Sequence, residues 1–291
     1  MYSSDDFDDV KKQSQLKEFW RRLKKSKTAV FGLVVIILLI LMAVFAEFIA
    51  PFHYDDQDLT RRFQFPNSTH WLGTDNFGRD ILSRLIFGSR ISLQVGLISV
   101  GIAASFGAAL GAISAFYGRW IDHVIMRSMD MLLAIPGMLL AIAIASALGP
   151  GLRNMMIAIG ISSIPGFARV VRSSVLTIKE QEYIEAAQSI GASNFRIIMK
   201  HIMPNAMAPL LVQTTLSVAG AVLSAAALSF LGLGIQPPTP EWGAMLSAAR
   251  QFIRDYWHLT TFPGLMIMLT VYALNVFGDG LRDALDPRLK D

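Results

Sequence analysis

The side chains able to make or break bonds are few in this sequence and badly placed for it. No cysteine occurs, which removes disulfides, thiolate metal sites, iron–sulfur clusters and cysteine nucleophiles. The five histidines, His53, His70, His123, His201 and His258, are scattered, and none pairs with another at metal-ligand spacing. There is no Gly-x-x-x-x-Gly-Lys-Ser/Thr loop to cradle a phosphate, no His-Glu-x-x-His and no Gly-x-Ser-x-Gly. An intramembrane aspartyl protease would need two facing aspartates. The candidates, Asp279 and Asp55, fall on opposite sides of the membrane in the topology read below. The expectation is therefore a non-enzymatic chain with no catalytic residue, no cofactor-binding residue and no metal ligand.

One segment has a pattern suited to docking. Between Arg172 and Pro204, Glu180, Glu182 and Glu185 stand early, where a helix dipole favours acid. Tyr183, Ala187 and Ile190 follow at i, i+4 and i+7, and Gly191 ends or bends the helix. Ser193 or Asn194 can cap a second helix that runs through Phe195, Ile198 and Ile202 into Pro204. The small Ala186–Ala187 surface permits close approach to a groove in another protein. An ordinary interfacial helix is the alternative.

Long apolar elements must position this segment. Hydrophobic residues make up 53% of the 291, and charged residues only 16%, against about 25% in a typical soluble domain. Stretches free of Asp, Glu, Lys and Arg predict six membrane spans near 28–48, 92–117, 124–148, 154–174, 205–232 and 262–281. Packed instead into a soluble core, six such runs would leave too little polar surface to cover them. The first is not a cleaved signal peptide, since its apolar core is too long and no A-x-A site follows. The fold class is thus an all-α polytopic helix bundle. Gly107-x-x-x-Gly111 on the second span, with alanines nearby, predicts close helix approach.

Lysine sets the orientation. All nine lysines lie in the N-terminal tail, the connection between spans four and five, or the C-terminal tail. The positive-inside rule makes that side cytoplasmic and places both termini there. The loop 51–90 carries five arginines and five aspartates and is placed outside. The net charge of +4 reflects a basic N-terminal amphipathic helix (Leu16, Phe19, Trp20 and Leu23 among Lys17, Arg21, Arg22, Lys24 and Lys25) lying on anionic lipid. It does not indicate nucleic acid. A second interfacial helix is predicted from Asp75 or Asn76 to Phe87, capped by Thr74 or Asp75, with Ile81, Leu82, Leu85 and Ile86 on one face and Asp80 paired to Arg84.

The spans are nearly free of charge, unlike those of ion-coupled transporters. Glu47 stands at the outer end of span one. Arg169 and Arg172 are expected to snorkel at the inner end of span four. Gln94, Asn154, Gln213 and Asn275 are expected to make structural hydrogen bonds. A pump of this composition must draw its energy from another subunit, or else the chain is a passive pore.

A family resemblance joins these readings. Glu185, Ala186, Ala187, then Gly191 and Pro204 resemble the EAA loop of ABC importer permeases, with His201 and Met203 where that pattern has Ile and Leu. Trp71–Asp75, Gly78–Arg84, Pro237–Gly243 and Gly278–Pro287 are similar to the C-type permease of dipeptide/oligopeptide importers, and the likeness runs from about residue 16 to the end. The resemblance implies a type I importer transmembrane domain at 90–280, with a cytoplasmic coupling loop at 173–204. Before it would come a cytoplasmic tail 1–27, an extra span 28–50 and an extracytoplasmic loop 51–89; the tail 281–291 would follow. It implies a bacterial inner-membrane location and a heterodimer with a second permease. Two cytoplasmic ATPases would bind ATP and Mg, and an extracytoplasmic solute-binding protein would deliver cargo. A coupling helix at 182–194 would present Tyr183, Glu185, Ala186, Ala187, Gly191, Ala192 and Pro204 to an ATPase. Segments 66–89 and 234–258 would receive the binding protein, with Asp75, Arg79, Asp80, Arg84, Glu241 and Trp242 as candidate contacts. The cargo reads as di- or oligopeptide, with nickel chelate, glutathione, haem or oligosaccharide as alternatives and a stand-alone channel or secondary transporter as a lesser one. The pathway residues are not readable.

Overall fold

A computed structural model describes residue 18 and residues 20–285 of the chain. The tail before these, Phe19 (with Leu16 and Lys17, part of the expected N-terminal amphipathic face) and residues 286–291 lie outside the described residues. Within them the fold is helical throughout; the sole β feature is a lone antiparallel bridge between Thr74 and Asp80.

Helix α1 (Lys27–Val44) starts where Ser26 Oγ accepts from the Ala29 amide, and a short helix α2 (Ala46–Ile49) continues it after a break at Phe45. Ala29, Gly32, Val35, Leu39 and Ala43 recur every three or four residues and are buried, while Phe31, Val34, Leu38 and Leu41 are exposed. That is one protein-facing stripe on a helix whose remaining surface suits lipid.

Helix α3 (Ile81–Tyr117) corrects the expected pair of a separate interfacial helix and a span. It is one helix of 37 residues, about 55 Å at 1.5 Å per residue, longer than the roughly 30 Å hydrocarbon core. Its cap is Asp80, which accepts from the Ser83 amide at 2.7 Å, in place of Thr74 or Asp75. Ile81 and Leu85 do not lie on lipid. They are buried in a cluster with Trp242 and Leu259.

The expected third span is broken. Helix α4 (Arg119–Leu133) and helix α5 (Gly137–Leu148) meet at 88°, with Pro136 between them. Proline has no N–H and disfavours the α conformation of the residue before it, so the helix stops there. Helix α5 has 12 residues, about 18 Å, and does not cross the core alone.

Helix α6 (Leu152–Lys179) packs against α3 along most of its length. A Cβ on Gly111 would stand 3.0 Å from the Arg172 amide nitrogen and closer still to the Ala168 carbonyl oxygen; one on Gly107 would stand 2.9 Å from the Ile164 carbonyl oxygen. The glycine pair thus permits the contact that its spacing predicts. Helix α7 (Glu182–Ser189) follows, then the short α8 (Asn194–Arg196) and a π-helical stretch Ile197–Ile202 that runs into α9 (Met203–Phe230). Helix α10 (Trp242–Ala249) lies on the side of the 51–80 loop, and α11 (His258–Leu285) closes the bundle against α1 and α9. Among the described residues, five helices, or six if the bent pair counts as one, are long and apolar enough to cross a membrane.

Candidate functional site

The site is the turn that joins α6 to α9. Helix α6 ends at Lys179, whose ammonium donates to the Phe116 carbonyl at 2.6 Å and ties its end to that of α3. After Glu180 and Gln181, α7 starts with Glu182 and Glu185 in its first turn, the favourable end of the dipole. It stops in a Schellman arrangement: the Gly191 amide donates to Gln188 O at 2.9 Å and the Ala192 amide to Ala187 O at 3.1 Å. Gly191 has φ +79°, a region that an L side chain enters only with strain. Ser193 then caps α8 by accepting from the Arg196 amide. Helix 182–194 is therefore shorter than expected, ending at Ser189, with the turn and next cap filling the remainder.

Two sets of side chains separate. Ile184, Ala187, Ile197 and Ile202 are buried and anchor the turn in the main core. Tyr183, Glu185, Ala186, Gly191 and Pro204 are exposed and Ala192 is half-buried. Ile190 is 85% exposed and Phe195 74%, both beyond the ends of the bundle helices. This corrects the expected face Tyr183–Ala187–Ile190: Ala187 turns inward, and the outer surface is built from Tyr183, Ala186, Ile190 and Phe195. Tyr183 Oη accepts from Asn205 Nδ2 at 3.4 Å, and the same nitrogen donates to His201 O at 2.6 Å.

The arginines of α6 do not simply snorkel. Arg172 makes two parallel bonds, Nε and Nη2 to Asp122 Oδ1 and Oδ2, both at 2.6 Å, and Ser114 Oγ also donates to Asp122. Arg169 Nη2 reaches Asp130 Oδ1 at 2.6 Å. Asp122 and Asp130 are both on α4, and sequence reasoning missed them. They are eight residues apart, about 12 Å, while the arginines are three apart, about 4.5 Å. Helix α4 thus crosses α6 obliquely and is pinned at two points.

On the opposite side the expected docking charges turn inward. Arg79, Asp80, Arg84, Glu241 and Trp242 are each at most 6% exposed, and Asp75 is half-buried. Asp80 bonds His70 Nδ1 at 2.9 Å besides capping α3, and the expected Asp80–Arg84 pair does not form. Arg84 instead donates to Tyr54 O at 3.0 Å and Pro238 O at 3.3 Å, and lies 3.6 Å from Asp75, which Arg79 also binds at 2.7 Å. These groups bind loop segments to each other. Glu241 caps α10, accepting from Gly243 N at 2.9 Å and Ala244 N at 2.8 Å; burial pushes its carboxyl above the ordinary range. Trp242 Nε1 donates to Leu85 O at 3.1 Å. The exposed side chains on this side include Leu59, Trp71, Ile253 and Trp257. No group of three or more His, Asp or Glu able to hold a metal occurs among the described residues.

The arm is thus anchored by buried isoleucines and carries exposed Tyr183, Ile190 and Phe195 at the end of the bundle. Residues 107–291 match the family of binding-protein-dependent transport system inner membrane components. The chain belongs to that family. Residues 14–66 match the N-terminal TM domain of oligopeptide transport permease C. The permease is 51% identical to a dipeptide transport system permease protein of Alkalihalophilus pseudofirmus over 95% of this chain and 91% of that one. It is 48% identical to a glutathione transport system permease protein of Escherichia coli O157:H7, over 94% and 90%. It is 47% identical to a di/tripeptide transport system permease protein of Pseudomonas aeruginosa, over 96% and 94%. Among solved structures it resembles the inward-facing MetNI methionine ABC transporter, with TM-score 0.58 and 18% identity over 71% of this chain and 98% of that one. It is a multi-pass membrane protein, a C-type permease subunit of the dipeptide/oligopeptide-type ABC importers. Permeases of this family work with ATPase subunits and a substrate-binding protein.

Proposed function

We propose that this permease forms half of a translocation pathway for di- and oligopeptides, and that the arm α7–Gly191–α8 is its coupling element. The observation that carries the reading is the division of that arm into a buried anchor (Ile184, Ala187, Ile197, Ile202) and an exposed apolar surface (Tyr183, Ile190, Phe195). A second, similar permease completes the pathway. Two ATPases on the lysine-rich, cytoplasmic side bind ATP and Mg, so the chain itself is non-catalytic and needs no cofactor. Both termini are cytoplasmic, and the membrane is the bacterial inner membrane.

Closure of the ATPases pushes on α7. Because the turn is buried on one side, the push moves the cytoplasmic ends of α6 and α9 together. The Lys179–Phe116 bond and the two Asp–Arg pairs pass that motion to α3 and α4. The solute-binding protein docks on the outer surface of 66–89 and 234–258 through exposed groups such as Trp71. The buried charges behind it hold that surface in shape.

The peptide cargo rests on the names of the relatives. The glutathione relative favours a second reading, import of that tripeptide. The experiment is purification of the tagged permease from its host in mild detergent, with proteins identified by mass spectrometry and the recovered binding protein screened against dipeptides and glutathione. A second permease and two ATPases are expected. Recovery of this chain alone after crosslinking with an ATP analogue present would refute the importer reading.

A further inference from the structure

Between α6, α9 and α11 lies a cavity of about 600 Å³, within the range of ligand pockets, lined by Asn205, Pro209, Gln213, Leu216 and Arg282. It begins near the coupling arm and reaches into the bundle. From Asn205 to Gln213 is eight residues, about 12 Å along α9. Gln213 thus lies well inside the segment predicted to cross the membrane.

Gln213 was expected to make a structural hydrogen bond. Its amide nitrogen does donate to Ser217 Oγ at 3.2 Å, one turn further along the same helix, but the side chain is half-exposed and bonds to no other helix. Asn154 differs: its amide donates to Leu148 O at 2.8 Å and closes a turn. On the same cavity wall Pro209 has no N–H, so the Asn205 carbonyl lacks its helical donor. Arg282 of α11 stands on the rim. Asn205 and Arg282 line this space at its cytoplasmic mouth and Gln213 deeper in; a primary amide inside a membrane with no partner on another helix is tolerated where the space beside it holds water, not lipid tails.

We propose that this cavity is a water-filled vestibule in which the cargo leaves the pathway. On the peptide-importer reading above, Gln213 and the Asn205 carbonyl hydrogen-bond the peptide's amides, and Arg282 meets its terminal carboxylate. The groups match a solute with alternating donors and acceptors and one acidic end. The Asn205–Tyr183 bond ties the rim to the coupling arm, so motion of α7 reaches the vestibule directly.

The chain has no cysteine, so each introduced thiol is unique in it. Asn205→Cys and Gln213→Cys would be made in the assembled importer in inside-out vesicles, with Met268→Cys and Tyr272→Cys on the exposed apolar side of α11 as controls. A charged, membrane-impermeant thiol reagent is expected to modify the first two and not the controls. No modification of either, while a lipid-soluble maleimide reacts, would overturn the vestibule. Solute contact is tested by uptake of alanyl-alanine as free acid and as C-terminal amide. Arg282→Gln is expected to lower uptake of the acid and erase its advantage over the amide. Gln213→Leu is expected to lose uptake of both, and Gln213→Asn to recover part of it. Unchanged uptake and an unchanged acid-to-amide ratio would overturn the contact. Aqueous labelling of Asn205→Cys and Gln213→Cys, in an importer whose wild type takes up no peptide, would leave the vestibule standing and refute the peptide reading.

Discussion

Gly191 gives a prediction whose magnitude can be worked out. The residue sits at φ +79°, and a Cβ built on it meets no atom of the chain within 4 Å. Any cost of Gly191→Ala inside the subunit is therefore conformational, about 1–2 kcal/mol for an L residue in the left-handed region. That is a factor of roughly 5–30 in the population of the turn that presents Ile190 and Phe195. Asparagine enters this region far more readily, so Gly191→Asn loses less of the turn, and β-branched valine loses more. The turn projects from the bundle, so none of these changes should unfold it. The assay measures ATP hydrolysis and peptide uptake on the same reconstituted importer. If backbone geometry alone matters, coupling should fall in the order Gly, Asn, Ala, Val. If an ATPase groove also presses on this position, Asn falls to the level of Ala or below, because its side chain is larger. Valine should leave hydrolysis without uptake. Full uptake by Gly191→Val would falsify the coupling role, and loss of the folded bundle in Gly191→Ala would show that the turn is not a local element.

Three further perturbations follow from the packing and the charges. Gly111→Val should force α3 from α6 at Ala168 and Arg172, an overpacking cost of about 1–3 kcal/mol read as a lower unfolding temperature, whereas Gly101→Val, with open space around it, should change little. Asp122→Arg should cost about 1.5–3 kcal/mol through loss of the paired bonds to Arg172 and should reduce uptake; the swap Asp122→Arg with Arg172→Asp should restore much of it, and failure of the swap to rescue would argue against the pinning role of α4. Burial raises the folded-state proton affinity of Glu241 above its ordinary value of 4.5, so the stability that carboxyl contributes is complete below about that pH and declines as pH rises through the raised folded value. Thermal unfolding of the wild type should accordingly lose ground to Glu241→Gln as pH increases, and a gap that widens in the other direction would contradict the assignment.

The spans and the helix–turn–helix between α6 and α9 were readable because their causes are local. A run such as Thr28–Ala46 must shed its apolar surface into lipid or protein whatever surrounds it, and α1 occupies Lys27–Val44. Gly191 marked the end or bend of a helix and Ser193 or Asn194 the next cap; the structure places Gly191 in a left-handed turn and Ser193 at the cap. The Gly107–Gly111 spacing announced a close helix contact without naming α6 as the partner. The break at Pro136 was written in the sequence too, but an uncharged stretch around it read as one straight span.

What the sequence by itself determined is the class of molecule: a bundle of apolar helices, which tail and loop carry the lysines, and where a helix–turn–helix arm interrupts the spans. Those follow from composition and from interactions between neighbours along one helix. Only the tertiary structure decided which charges face each other and which stay exposed. Asp122 and Arg172 are 50 residues apart, and Arg84 and Pro238 are 154 apart. Nothing in the spacing within either segment fixes such a pair, because the helices that bring it together are placed by packing elsewhere. The same holds for Gln213, whose meaning depends on the empty space beside it, and that space is made by the neighbouring helices α6 and α11.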